Sequence, residues 1–285
     1  MKILVTGATG FVGKHVVDAL LQQQQFEITV TASKEDSLQA YYSELPLKMV
    51  AFDIFGERNH NLNLFEFFGA PDKVIHLAWR GLPNYGRPFH VTENVATDFS
   101  FLKNLIDFGL KDLTITGTCF EYGMLEGELA EDMAGSPANY YALGKDTLRR
   151  MLEIYQGQQT YDLKWVRLFY MFGQGQNPNS LLASLITAIT RGDKEFNMSA
   201  GMQLRDYLSV EVAAENIITI ALQSKVLGII NNCSGTPVRV LDFVKTYLAE
   251  NIATIKLNLG YYPYSPFEPM EFWGNTDKLK AVLNH

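Results

Sequence analysis

The sequence predicts a doubly wound parallel α/β fold. Two observations carry this prediction. Up to residue 169 short apolar runs alternate with helix-patterned stretches, and the first such pair is joined by a glycine-rich turn, Thr6 to Gly13, reading TGATGFVG. Strands that alternate with helices form βαβ crossovers, whose strands lie parallel in one sheet.

The apolar run 3–5 reads as a buried strand, and the stretch after the turn, from His15 to Leu21, as part of a helix over about 12–24. Further apolar runs at 28–32, 48–52, 73–77, 113–117 and 164–169 supply five more strands. Helical periodicity falls between them, at 36–43, 61–67, 92–108 and 140–157. After Phe172 the rhythm breaks at Gly173-Gln-Gly-Gln-Asn-Pro-Asn179, a run of turn-forming residues. Beyond it the pattern predicts a helix at 180–192, short strands near 195–198 and 207–210, and a helix at 211–224. The tail carries a helix at 240–250, a strand near 254–259 and a Pro-rich segment at 262–269. No internal repeat is visible.

A chain of 285 residues, 47% hydrophobic and 19% charged, has globular composition and can bury a sizeable core. Its net charge of −7 argues against a nucleic-acid or anionic-membrane surface. An acidic protein that binds an anionic substrate must gather positive charge locally, so individual Arg and Lys residues carry weight. The two cysteines, Cys119 and Cys233, lie far apart without CxxC spacing, which speaks against a disulfide framework and fits a cytoplasmic protein. The apolar start is interrupted at Thr6-Gly7, too early for a signal segment, and no run of eighteen apolar residues predicts a membrane span. The five histidines (15, 60, 76, 90 and 285) show no ligand spacing with acids or cysteines, so no metal is expected.

A glycine-rich turn between a buried strand and a helix lets backbone amides at the helix start approach a pyrophosphate, where the helix dipole favours anions. The glycines stand at 7, 10 and 13, a GxxGxxG spacing that by itself equally fits an ordinary turn. Among fourteen tyrosines, only Tyr141 is followed four residues later by a lysine, Lys145. That offset puts both side chains on one helix face. An ammonium beside a phenol favours phenolate, so the pair reads as a catalytic tyrosine with its pKa lowered; alone, the same spacing also fits a plain amphipathic helix.

Together these motifs resemble the extended short-chain dehydrogenase/reductase family, the nucleotide-sugar epimerase, dehydratase and reductase group with a Rossmann fold. The resemblance runs in order through Asp53-Ile54, His76-Leu-Ala-Trp79 and Thr116-Gly-Thr-Cys-Phe-Glu-Tyr-Gly123. It continues through Tyr141xxxLys145, Arg167-Leu-Phe-Tyr-Met-Phe-Gly173, Arg205-Asp-Tyr207 and Asn232-Cys-Ser-Gly235. It implies a dinucleotide-binding domain over 1–169, with 206–230 packing back onto it. A smaller, discontinuous C-terminal substrate lobe would be built from 170–205 and 231–285. It further implies a nicotinamide dinucleotide against Gly7, Thr9, Gly10, Phe11, Val12 and Gly13, with Asp53 and Ile54 beside the adenine. Leu77, Ala78 and Trp79 would line its phosphate and ribose side, together with Thr116, Lys145 and Phe169. Trp79 is bulky where the family usually has a small residue, which suggests a narrowed cleft.

A ribose-binding acid is expected at the end of the second strand. Ser33 stands there, followed by Lys34, and a hydroxyl plus a cation suits a 2′-phosphate better than a carboxylate would. NADP is therefore expected over NAD, with NAD possible.

The resemblance makes Thr118 the active-site hydroxyl, Tyr141 the general acid or base and Lys145 the residue that holds the ribose. Family dehydratases carry Asp-Glu directly after the Ser/Thr, whereas Cys119 and Phe120 stand here, which disfavours elimination. Cys119, Glu121, Tyr170 and Arg205 are the expected substrate contacts, with Arg205 clamping the nucleotide diphosphate; Glu121 could instead be a surface acid, and Cys119 could pack. The surviving reactions are single reduction at C4 of a nucleotide sugar, as in deoxysugar C4 reductases of the dTDP-6-deoxy-L-talose 4-dehydrogenase type, and C4 epimerisation. Some relatives of this fold are non-catalytic NADP-binding regulators, but such proteins lack the Tyr–Lys pair. By analogy the helices at 92–108 and 140–157 would form a homodimer interface.

Overall fold

The computed structural model describes residues 1–56 and 62–284. Along the first half of the chain lie β1 (Lys2–Thr6), α1 (Phe11–Gln22), β2 (Glu27–Ala32), α2 (Glu35–Tyr42), β3 (Lys48–Ala51), α3 (Leu64–Phe67) and β4 (Lys73–His76). Next come α4 (Val95–Asp107), β5 (Asp112–Thr118), β6 (Gly127–Leu129), α5 (Tyr140–Tyr155) and β7 (Asp162–Leu168). The second half adds β8 (Tyr170–Phe172), α6 (Leu181–Arg191), β9 (Glu195–Asn197), β10 (Leu204–Ser209), α7 (Val210–Leu222) and β11 (Gly228–Asn232). It closes with β12 (Pro237–Arg239), α8 (Val240–Glu250), β13 (Lys256–Asn258), β14 (Phe272–Gly274) and α9 (Asp277–Leu283).

Seven strands form one parallel sheet in the order β11-β7-β5-β4-β1-β2-β3. Side chains alternate faces along a strand, and β1 divides its residues accordingly. Ile3 and Val5 join Val16, Val17 and Leu20 of α1 and Ile217 and Ile220 of α7 on one face. Leu4 joins Phe101, Leu102 and Leu105 of α4 and Leu148 and Leu152 of α5 on the other. Both faces are covered, the condition that lets a parallel sheet exist. The strand order reverses between β1 and β4, and in open α/β sheets the crevice beyond the strand ends at such a point is the ligand site.

The six expected strands of the sheet are present, and the seventh, β11, is not visible from apolar pattern. Its sequence Gly-Ile-Ile-Asn-Asn has two apolar residues, and it is recruited by pairing with β7. The helix expected over 61–67 is a single turn starting at Leu64, capped by the Asn63 side chain on the Glu66 amide; residue 61 lies outside the described chain. The helix expected from 92 begins as a π-helical turn at His90–Asn94 before continuing as α4.

Beside this sheet stand smaller ones, β12-β10-β8, β13-β9 and β14-β6, the last pairing β14 with a strand that precedes β7. A separate core of Leu182, Leu185, Phe196, Met198, Val240 and Val244 lies between α6 and α8. Among the described residues no helix is long and apolar enough to cross a membrane.

Candidate active site

The glycine turn sits at the end of β1, against the end of β4. A Cβ on Gly7 would lie 2.6 Å from the Ala78 amide nitrogen, and one on Gly13 would lie 2.2 Å from the Gly7 carbonyl oxygen. Only glycine lets Leu77-Ala78, the turn and α1 approach this closely, and Gly7 also has a positive φ of 67°. Gly10 is the N-cap of α1, offers no side-chain cap, and no acid stands in the first turn. The first intrahelical amide bond is Lys14 to Gly10, which leaves the amides of Phe11, Val12 and Gly13 without helical acceptors. An uncapped helix start free of acids fits the pyrophosphate of a dinucleotide. Thr9 is half-buried in the same turn.

Ser33 and Lys34 are both exposed at the end of β2, just before Glu35 and Asp36 open α2. Asp53 accepts the Phe55 amide at 3.0 Å, so it caps its turn, and Ile54 buries its side chain with Leu4 and Phe68.

Thr118, Tyr141 and Lys145 converge at the end of β5. Thr118 is the N-cap of a 3-10 turn over Cys119–Tyr122, and its hydroxyl oxygen accepts the Phe120 amide at 3.3 Å. Tyr141 and Lys145 are buried on the inner face of α5, whose first turn is capped by Asn139 on the Ala142 amide. Lys145 donates to the Thr116 carbonyl at 2.8 Å and stands 4.2 Å over the Trp79 ring. One expectation needs correction. Burial dominates at Tyr141 and pushes its phenol upward, with Tyr85, Glu121 and Cys119 acting the same way and only the Thr118 hydroxyl opposing. The phenol is thus held protonated, and the lowering expected from Lys145 is not found. Burial likewise pushes Lys145 down, to about 8, with Asp98 and Glu121 pulling back.

Glu121 is a second correction. Expected either on substrate or on the surface, it is fully buried. Its carboxylate accepts the Thr118 amide at 2.8 Å, Trp165 Nε1 at 3.0 Å and Arg167 Nε at 2.8 Å. Gly117 makes room for it, since a Cβ there would lie 2.1 Å from Trp165 Nε1. Glu121 therefore holds the backbone of Thr118 from behind. The signal was in the sequence: Thr118-Cys-Phe-Glu121 is a capping box, and both of its bonds form.

Cys119 is buried with Tyr122, Leu129, Phe169, Cys233 and Phe272, and burial pushes its thiol up. Phe169 lies in that same cluster, its ring 6.3 Å from Phe272, and is 3% exposed. Its side chain thus packs under the small sheets rather than forming an open cofactor wall. Arg205 is buried too. It donates to the Leu204 and Met270 carbonyls and pairs with Glu268 at 3.2 Å, and Tyr170 donates to the same Glu268 oxygen. Asp206 does not pair with Arg205; it accepts the amides of Ser234, Gly235 and Gly274. Glu268 was not anticipated, because only the fold brings it 63 residues back to Arg205. Tyr85 and Phe120 were also missed as lining residues. Rings run from Tyr141 to Tyr85 (5.4 Å), to Phe120 (5.7 Å) and on to Tyr170 (6.0 Å).

The model of the NAD dependent epimerase/dehydratase family matches residues 3–232. The chain is 28% identical over 276 residues to dTDP-6-deoxy-L-talose 4-dehydrogenase (NAD(+)) of Aggregatibacter actinomycetemcomitans, covering 96% of this chain and 99% of that protein. It is 25% identical over 242 residues to GDP-6-deoxy-D-talose 4-dehydrogenase of the same organism, covering 82% and 75%. Among solved structures, UDP-glucuronic acid 4-epimerase from Bacillus cereus, in complex with UDP-glucuronic acid and NAD, superposes with a TM-score of 0.85 at 24% identity. That match covers 100% of this chain and 93% of that one. The parallel sheet, the glycine turn and this match over most of the length lead to one conclusion: the chain belongs to the NAD dependent epimerase/dehydratase family.

Proposed function

We propose that this protein is an NAD(P)-dependent nucleotide-sugar 4-ketoreductase (equally a 4-dehydrogenase) that reduces the C4 ketone of a nucleotide-activated 6-deoxyhexose. One observation carries the reading. Thr118, Tyr141 and Lys145 meet at the strand ends, while the two positions after Thr118 hold buried Cys119 and the ring of Phe120. Reduction at C4 needs one proton donor and nothing more. Elimination needs a further acid and base, and the nearby carboxylate, Glu121, is already committed to Arg167, Trp165 and the Thr118 amide.

When bound, the dinucleotide supplies a hydride to the sugar carbon. The chain's residues do the rest. Thr118 hydrogen-bonds the C4 oxygen and orients it toward Tyr141. Tyr141, kept protonated by burial, gives its hydroxyl proton to the developing alkoxide. Lys145, fixed by the Thr116 carbonyl, holds positive charge beside that proton transfer.

For the dinucleotide, Ser33 and Lys34 favour NADP, while the relatives' names favour NAD. The second reading is a 4-epimerase, favoured by relatives and solved structures that carry that name. A reductase consumes added NADH or NADPH in proportion to product; an epimerase turns over without added cofactor. The remaining parts of the proposal are a cytoplasmic homodimer joined through α4 and α5, where Leu143 and Ile154 are exposed.

The test is reduced-cofactor consumption with a panel of nucleotide 4-keto-6-deoxysugars, using the wild type and Tyr141→Phe. Loss of the general acid should lower kcat by about 10²–10⁴-fold. Turnover unchanged in Tyr141→Phe with every substrate would sink the assignment.

A further inference from the structure

Lys145 is fully buried, yet among the described residues no carboxylate bonds it. Its hydrogen bond goes to the Thr116 carbonyl. The two acids that act on it from a distance have other partners: Asp98 is bonded to His76 at 3.0 Å, and Glu121 to Arg167, Trp165 and the Thr118 amide. What the ammonium does meet is the face of an indole, with Nζ 4.2 Å from the Trp79 ring centroid. A desolvated cation over an indole face is in the strongest form of the cation–π contact.

The indole is itself held. Trp79 Nε1 donates to His90 Nδ1 at 3.0 Å, and the two ring planes are nearly parallel, at 12°. An indole N–H only donates, so His90 Nδ1 must present its lone pair. His90 Nε2 then carries the proton and meets the Asn84 carbonyl at 3.0 Å. His90 is thereby neutral and of one tautomer. Burial lowers its pKa and the nearby Lys145 charge lowers it further, against the Asn84 bond. His90 opens the π-helical turn before α4, a local form that often marks functional positions. Helix α5 can approach this pair only because residue 144 is glycine: a Cβ there would lie 2.5 Å from the His90 carbonyl oxygen and 3.2 Å from the Trp79 ring. Trp79 also meets the ring of Tyr141 edge-on at 6.2 Å.

From this geometry we infer that Trp79, locked by neutral His90, is a positioning residue whose indole face keeps Lys145 protonated and aimed at the reaction centre. The indole does the work that a carboxylate in direct contact with the ammonium would otherwise do. The inference rests on the Tyr141–Lys145 site being the active site, and one arm of its test is independent of that reading.

That arm uses the protein without substrate or cofactor. Tryptophan emission is followed against pH in the wild type and in Lys145→Met. An ammonium on an indole face perturbs its emission, so the wild type should show a titration step near pH 8 that Lys145→Met lacks. A step of equal size in both proteins, or none in the wild type, would overturn the inference. The second arm is the pH profile of kcat in Trp79→Leu and Trp79→Phe. Loss of the aromatic face should move the alkaline limb down by about one pH unit, a tenfold change in the protonation equilibrium. The Phe variant, which keeps a face but loses the bond to His90, should restore part of that shift. Profiles that differ from wild type only by a constant factor would leave Trp79 a space-filler and refute the role. Should Trp79→Leu not fold, Trp79→Phe and the emission titration still decide.

Discussion

Glu121→Gln is the sharpest test of how this site is held. Glu121 and Arg167 are 0% and 1% exposed and bonded at 2.8 Å, so the carboxylate neutralises a guanidinium that cannot reach solvent. Among the described residues Arg167 Nη1 has no hydrogen-bond partner, and the guanidinium stands 4.2 Å over the Tyr122 ring. Gln preserves shape and removes the charge. One of its two polar atoms must then face a donor with a donor, because Trp165 Nε1, Arg167 Nε and the Thr118 amide all point at the carboxylate. Breaking one half of a buried pair costs about 3–5 kcal/mol. For a domain of this size that lowers Tm on the order of 10 °C. The assay is urea unfolding followed by circular dichroism, together with the double substitution Glu121→Leu/Arg167→Leu. The double variant should recover much of the loss, since replacing both ions by apolar groups is often neutral. A cost below about 1 kcal/mol for Glu121→Gln would refute the account of this network, because that is the range of an exposed pair.

Two further perturbations follow from the same geometry. Lys145 is charged up to about pH 8 in the folded protein, against an ordinary 10.5, so its burial penalty is complete below pH 8 and is relieved as pH rises toward 10.5. Lys145→Met should therefore unfold less readily at pH 7, by about 3 kcal/mol before its lost contacts are deducted, with the gap closing by pH 10.5; a gap independent of pH would contradict this. Lys34→Glu, at an exposed position beyond β2, should cut kcat/KM for NADPH about tenfold relative to NADH if Lys34 meets a 2′-phosphate. An unchanged ratio would make Lys34 a solvated turn residue.

Legibility in the sequence followed the range of the interactions. The strand–turn–helix from Lys2 to Gln22 could be read because its causes are local: an apolar run, three glycines and a periodic helix. Tyr141 and Lys145 could be read because a four-residue offset fixes their common face. The six patterned strands were legible because a parallel sheet covered on both faces needs continuous apolar runs. Strand β11 was not, since pairing with β7 and not composition makes Gly228–Asn232 a strand. Glu121 looked ambiguous because its fate depends on Trp165 and Arg167, 44 and 46 residues away.

The sequence by itself determined the doubly wound sheet, the phosphate-ready turn and the identities of the three converging residues. Tertiary structure alone decided their state. Burial sets the phenol of Tyr141 high and the ammonium of Lys145 low, the reverse of what an exposed helix pair would do. It also decided that Arg205 meets Glu268, and that Trp79 is the ground on which Lys145 stands. The physical reason is common to all of these. Secondary structure follows from neighbours in the chain, whereas desolvation and partner choice depend on groups that become neighbours only once the sheet, its helices and the small lobe have packed.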